Sequence, residues 1–133
     1  MGRVSGPYQM TAFIGTITGT TDDGRNIPIW RSPADYRTRV SAVYLQGKWN
    51  ANASGSYDTL TLCDDAGATM FSAAFTTTGG TVTGAVAMEA STTHAYLELT
   101  EGQEVYLHMA QTGSGQTMTD MLITIIYDLW RVP

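Results

Sequence analysis

Apolar and polar residues alternate with a period of two along the whole chain, and no 3.6-residue period persists for the roughly ten residues a helix needs. Successive strand side chains point to opposite faces, so a chain patterned this way buries one parity by laying sheets against each other. In residues 8–18, Met10, Ala12 and Ile14 share one parity, Phe13 and Ile17 take the other, and threonines at 11, 16 and 18 favour extended backbone. Residues 40–49, 59–63, 69–75, 82–88, 95–99, 104–110 and 121–130 read as further strands, with turns between them at the spacing of antiparallel hairpins. About eight strands and no required helix predict an all-β fold, a two-sheet antiparallel β-sandwich of jelly-roll or Greek-key type.

The chain has 133 residues, enough for one domain and one core. Residues 8–133 form that domain, and residues 1–7, small and polar, read as an N-terminal arm. Residues 19–36 interrupt the alternation with Asp22-Asp23-Gly24, Pro28 and Pro33, and read as a long early loop with a short extended piece at 27–30 inside it. Connections of that length usually serve function or contact.

Several function classes are excluded by charge and composition. A formal charge of −5 with one lysine, Lys48, does not suit a sequence-independent grip on nucleic acid, which needs clustered cations. No apolar run reaches the ~20 residues that cross a bilayer as a helix, and the first residues lead into polar sequence, so a soluble chain made in the cytosol is expected, with no membrane partner. Cys63 is the single cysteine and cannot form an internal disulfide.

The residues offer no catalytic, metal or cofactor constellation. His94 and His108 lack the close His-x-His spacing of a metal site on such a fold. No Gly-x-Ser-x-Gly elbow occurs, and Cys63 lies beside Asp64 and Asp65, which disfavour its thiolate. Glu89 with Glu98, or Glu101 with Glu104, could supply two carboxylates for glycoside hydrolysis, yet outward or turn positions suit solvation better. Asp22-Asp23-Gly24 and Asp64-Asp65-Ala66-Gly67 lack the alternating acidic pattern of a calcium loop and read as turns. The Gly-rich stretches at 78–81 and 113–116 lack the Lys-Ser or Lys-Thr of a phosphate loop.

Contact surfaces carry more information. Trp30 ends an Ile27-Pro28-Ile29-Trp30 run in the early loop, with Tyr8 and Tyr36 close by in the chain. It reads either as a core residue or as an anchor on another subunit, since aromatic residues concentrate at contact hot spots. Residues 40–49 and 121–130 are apolar on both parities, which requires something to cover their second face, and oligomerisation is the economical cover.

The succession Tyr36-Arg37-Thr38-Arg39-Val40, the Thr59-Leu60-Thr61-Leu62 strand with its Asp-Asp-Ala-Gly turn, Ala95-Tyr96-Leu97-Glu98-Leu99-Thr100-Glu101-Gly102 and the closing apolar strand resemble the small jelly-roll decoration, or cement, proteins of tailed-bacteriophage heads. The likeness spans residues 36–133 and lies in pattern and order. It implies a non-enzymatic virion protein on the capsid exterior, with the major capsid protein as partner, a homotrimeric state and no cofactor. The candidate capsid or subunit contacts, Tyr8, Ile27, Pro28, Ile29, Trp30 and Tyr36, come from the reading of the residues themselves. The alternative is a carbohydrate- or receptor-binding sandwich of fibre or lectin type, with Trp30, Trp49 and the tyrosines stacking on sugar rings and the 50–57 loop supplying polar partners.

Overall fold

The structure, a computed structural model, describes residues 3–18, 21–51, 56–75, 80–113 and 117–132, with backbone alone at 3–5, 50–51, 80–85 and 94. Ten strands follow in chain order: β1 (Arg3–Thr18), β2 (Asn26–Arg31), β3 (Tyr36–Ala51), β4 (Tyr57–Asp64), β5 (Thr69–Ala74), β6 (Gly80–Ala87), β7 (Glu89–Ala90), β8 (Glu98–Leu99), β9 (Glu104–Thr112) and β10 (Thr117–Arg131). One sheet runs β1-β10-β3-β6 with β8 added on β3, and the other runs β2-β9-β4-β5-β7. All pairings are antiparallel. The chain crosses between the sheets at every step from one strand to the next except β4 to β5, which is a hairpin within the second sheet. This interleaving is the jelly roll of two Greek keys.

The inward parities meet between the sheets. Leu45 and Val40 on β3 and Met118, Met121, Ile123 and Ile125 on β10 close against Leu60, Leu62, Val105, Leu107 and Met70 of the other sheet, all fully buried. β10 lies between β1 and β3, pairing with β1 from Arg3↔Trp130 to Thr18↔Thr117 and with β3 from Met118↔Trp49 to Arg131↔Tyr36. Being paired on both sides explains why it is the most apolar strand.

Four expectations change. The arm expected over 1–7 is, from Arg3 on, the start of β1. Its pairing uses backbone groups opposite Trp130 and Leu129, so small polar side chains do not prevent it. The loop expected over 19–36 is zipped onto β9: β2 pairs from Asn26↔His108 to Arg31↔Glu104, Gly24 N donates to Met109 O at 2.8 Å, and Met109 N donates to Arg25 O at 3.0 Å. Asp22, 9% exposed, fixes the entry to this segment by accepting the Thr18 amide at 2.6 Å and pairing with Arg25 at 3.0 Å. The strand expected over 95–99 is a 3-10 turn, His94–Leu97, followed by the two-residue β8. Here Tyr96 N bonds back to Thr93 O at 3.0 Å, and a three-residue alternation fits that turn as well as a strand. A short strand, β7, also extends the second sheet beyond β5.

The turn expected at Asp64-Asp65-Ala66-Gly67 forms. Asp64 Oδ1 accepts the amides of Ala66 at 3.0 Å and Ala68 at 2.9 Å, and Gly67 takes φ 87°. Parts of the other expected loops, residues 52–55, 78–79 and 114–116, lie outside the described residues, as do Met1 and Gly2.

Gly47 of β3 lies against β10 where the register shifts between Thr119 and Leu122. A Cβ on Gly47 would overlap Met121 Sδ and stand 3.0 Å from the Thr119 carbonyl oxygen. Gly47→Ala is therefore expected to destabilise the fold by about 1–3 kcal/mol. Urea unfolding monitored by tryptophan fluorescence measures it, and an unchanged midpoint would show that the sheet relaxes there without cost.

Candidate interaction surfaces

The early aromatic residues converge at one place. Trp30 on β2 lies 4.6 Å from Tyr127 on β10, ring centroid to centroid, and Tyr127 lies 5.7 Å from Tyr8 on β1. The three rings tie the second sheet to the first, and Ile27, Ile29 and Trp30 all pack against the core. Trp30 is half-buried, with its ring turned toward Tyr127 and packed against the core. Among the six candidate contacts, Pro28 is exposed on the outer side of β2, Tyr8 is 40% exposed, and Tyr36 opens β3 half-buried.

A different surface presents more apolar area. On the outer face of the first sheet the register aligns Gln9, Ile126 and Ala42 in one row, Thr11, Thr124 and Tyr44 in the next, and Phe13, Leu122 and Gln46 in a third. Phe13 is 71% exposed and Tyr44 41%, with Leu122 and Ile126 half-buried between them. Thr11 and Thr124 share a hydroxyl hydrogen bond of 3.1 Å across the middle row. This is the second apolar face that the double-parity strands require, extended onto β1 by Phe13, which the sequence pattern alone did not place there.

The outer face of the second sheet is polar by contrast. There His108 Nδ1 lies 2.7 Å from Asn26 Oδ1, and Thr61, Cys63 and Tyr106 line an open depression of about 540 Å³. Burial, and then the Asp64 carboxylate, push the Cys63 thiol above its ordinary range, with a hydrogen bond to the Thr69 side chain partly opposing them. Trp49 is 4% exposed and packs edge-on against Phe75 at 4.9 Å, so it offers no platform for a sugar ring. Glu89 and Glu98 belong to different sheets, and Glu104 pairs with Arg31 and accepts the Tyr106 hydroxyl. Among the described residues no group of three His, Cys, Asp or Glu is placed to hold a metal ion.

Beyond the apolar rows, towards the start of β3, Arg37 and Arg39 both donate to Glu98, at 3.3 and 3.4 Å. With Thr38 and Trp130 they line a cleft of about 250 Å³. The alternation Arg37-Thr38-Arg39 puts both guanidinium groups on one face, whereas the walls that β8 and β10 add come from distant segments and leave no local mark. The strands of this sheet hold Arg3, Arg37, Arg39, Lys48 and Arg131 against Glu98, Asp120 and Asp128. That leaves two positive formal charges on these strands and seven negative ones on the rest of the chain, out of the total of −5.

Strand addition is a poor route for contact at three of the sheet edges. Pro28 removes a donor from β2, β7 has two residues, and β1 carries Pro7 and four register shifts.

No protein-family model and no curated protein matches the chain. Among solved structures it is similar to a chain in the capsid asymmetric unit of cyanophage Pam1, with TM-score 0.56 and 17% identity, covering 100% of this chain and 91% of that one. Chains of infectious bursal disease virus align more remotely. The Gx strain gives TM-score 0.43 at 10% identity over 96% of this chain and 37% of that one, and the T13 particle gives 0.42 at 12% over 95% and 36%. The cyanophage likeness shows a shared fold, the two-sheet antiparallel sandwich.

Two substitutions separate the surfaces. Trp30→Ala, which opens the inter-sheet aromatic contact, is expected to cost roughly 2–4 kcal/mol in denaturant unfolding, whereas Phe13→Ser on the outer face should stay within about 0.5 kcal/mol of the parent. A large loss at Phe13 would mean that it supports the fold. The raised thiol predicts that Cys63 in the folded protein is alkylated by iodoacetamide at mildly alkaline pH more slowly than in the urea-unfolded chain, followed by mass spectrometry.

Proposed function

We propose that this chain is a non-enzymatic structural protein of a viral capsid, a decoration or cement protein that binds the outside of a phage shell through the major capsid protein, as a homotrimer, and stabilises the mature state. The observation that carries this reading is the outer face of the first sheet. There a full jelly roll, a fold shared with a chain of a phage capsid asymmetric unit, presents Phe13, Tyr44, Leu122 and Ile126 to solvent in adjoining rows. Large exposed apolar patches mark contact surfaces, and this one lies on paired strands that hold it rigid. Tyr8 and Pro28, the more solvent-facing of the early candidates, are proposed as accessory contacts.

A protein that binds only the mature shell stabilises it by RT ln(1 + [L]/Kd) at each site, and the sites of a shell add. Joined copies gain further, because one docked subunit raises the effective concentration of the others. Modest affinity per site is then sufficient. The carbohydrate-binding alternative loses support from the burial of Trp49 and the inward packing of Trp30.

Quantitative mass spectrometry of purified particles of the source is expected to find this chain near stoichiometry with the major shell protein, and its absence would sink the virion reading. With shells stripped of the protein, Phe13→Asp should lower re-binding at least about tenfold, the scale of one interface anchor, with an unchanged melting temperature. Equal binding by parent and variant would move the contact off this face.

A further inference from the structure

We propose that the Arg37–Arg39–Trp130 cleft is a self-association site that receives the acidic corner of a second copy of this chain. The proposal takes the homo-oligomer of the preceding reading as its premise and names the two surfaces that mate.

The acidic corner is formed where the ends of β2 and β4 meet the turn into β9. Asp35, Asp65 and Glu101 are exposed there, and Glu104 lies beside them in an ion pair with Arg31. Local hydrogen bonds hold these carboxylates in place: Asp35 N donates to Glu101 Oε2 at 3.0 Å and Gln103 Nε2 donates to Asp65 Oδ1 at 3.1 Å. A pre-ordered charged surface loses little side-chain entropy on docking. The cleft is its complement, with two guanidinium groups held by the single Glu98 carboxylate, which leaves one net positive charge, and an indole beside them, in a sheet whose strands sum to two positive charges. Guanidinium pairs bind carboxylates in two-point geometry, and Arg and Trp are the residues that most often dominate an interface.

The chain itself supplies the occupant. Outside the strands of the first sheet it carries seven net negative charges, so the nearest source of an acidic surface at high local concentration is another copy. Cleft and corner also sit at the same end of the sandwich. Asp35 precedes Arg37 by two residues, Glu101 follows Glu98 by three, and Val132 N donates to Asp35 O at 2.8 Å. Cleft and corner are different patches, so copies can mate reciprocally in a two-fold pair or head to tail. The homotrimer of the preceding reading corresponds to the head-to-tail arrangement with a rotation that closes a ring.

Charge reversal tests this on the intact chain. Sedimentation velocity should show the parent associated, and association should weaken as salt is raised. The pair Arg37→Glu with Arg39→Glu should raise the dissociation constant about a hundredfold, as should Asp65→Lys with Glu101→Lys. An equimolar mixture of the two variants should associate again, because the acidic corner kept by one fits the basic cleft kept by the other, and the two reversed patches are likewise opposite in charge. Circular dichroism melts confirm that each variant is folded. A parent that stays monomeric, variants that associate like the parent, or a mixture that remains monomeric would each overturn the proposal. The outcomes are separable from the shell reading. A monomeric parent found near stoichiometry in particles removes this contact and leaves the cement role, whereas a parent that associates through these patches but is absent from particles does the reverse.

Discussion

β10 is apolar on both parities and bonded along both edges, and the remaining strands can be understood by what it needs. Its inward side chains, Met118, Met121, Ile123 and Ile125, require an opposing sheet, which β9 and β4 provide through Leu107, Val105, Leu60 and Leu62. Its backbone requires a partner on either side, and β1 and β3 supply them over nearly the whole length. Its outward side chains, Leu122 and Ile126, are covered only in part by neighbours within the sheet, so the demand for burial passes to a surface outside the subunit. Fold and proposed docking face are two outcomes of one strand's composition.

Much of this architecture was legible because alternation survives wherever one face is buried and the other is not. Leu60 and Leu62 against Thr59 and Thr61, or Val105, Leu107 and Met109 against Tyr106 and His108, identify strand and facing together. The failures have physical reasons. Arg3 to Pro7 pair through backbone groups that side-chain pattern does not reveal, and Ala95 to Leu97 are too few for period two to be told from a tight turn. Residues 19–36 carry turn signals that are real, since Asp22 does organise a turn, but their attachment to β9 is long-range and leaves no local mark.

The candidate contacts were less legible than the fold. Ile27, Ile29 and Trp30 were found because they stand out in a polar stretch, yet the same apolarity draws them onto the core, and the three-ring contact with Tyr127 and Tyr8 serves cohesion between sheets. The Arg37, Arg39, Glu98 and Trp130 cleft joins three segments that only the jelly-roll order brings together. Charge asymmetry is hidden for the same reason. A count along the chain gives one acidic protein, and only sheet membership divides it into a mildly cationic layer and a strongly anionic remainder.

The position of β10 also sets an order of events during synthesis. β1 and β3 flank it and do not pair with each other, so β3 can hold β6 and β8 earlier but β1 cannot join the first sheet until residues 117–131 have been made. Until then the inner faces of both flanking strands lack their central neighbour, and the longest loop closure in the molecule, Arg3 to Trp130, is still ahead. The outer apolar rows therefore come into being only when β10 enters the sheet and sets Leu122 between Phe13 and Gln46 and Ile126 between Gln9 and Ala42. The surface that would join other molecules is withheld until β10 has taken its place between β1 and β3.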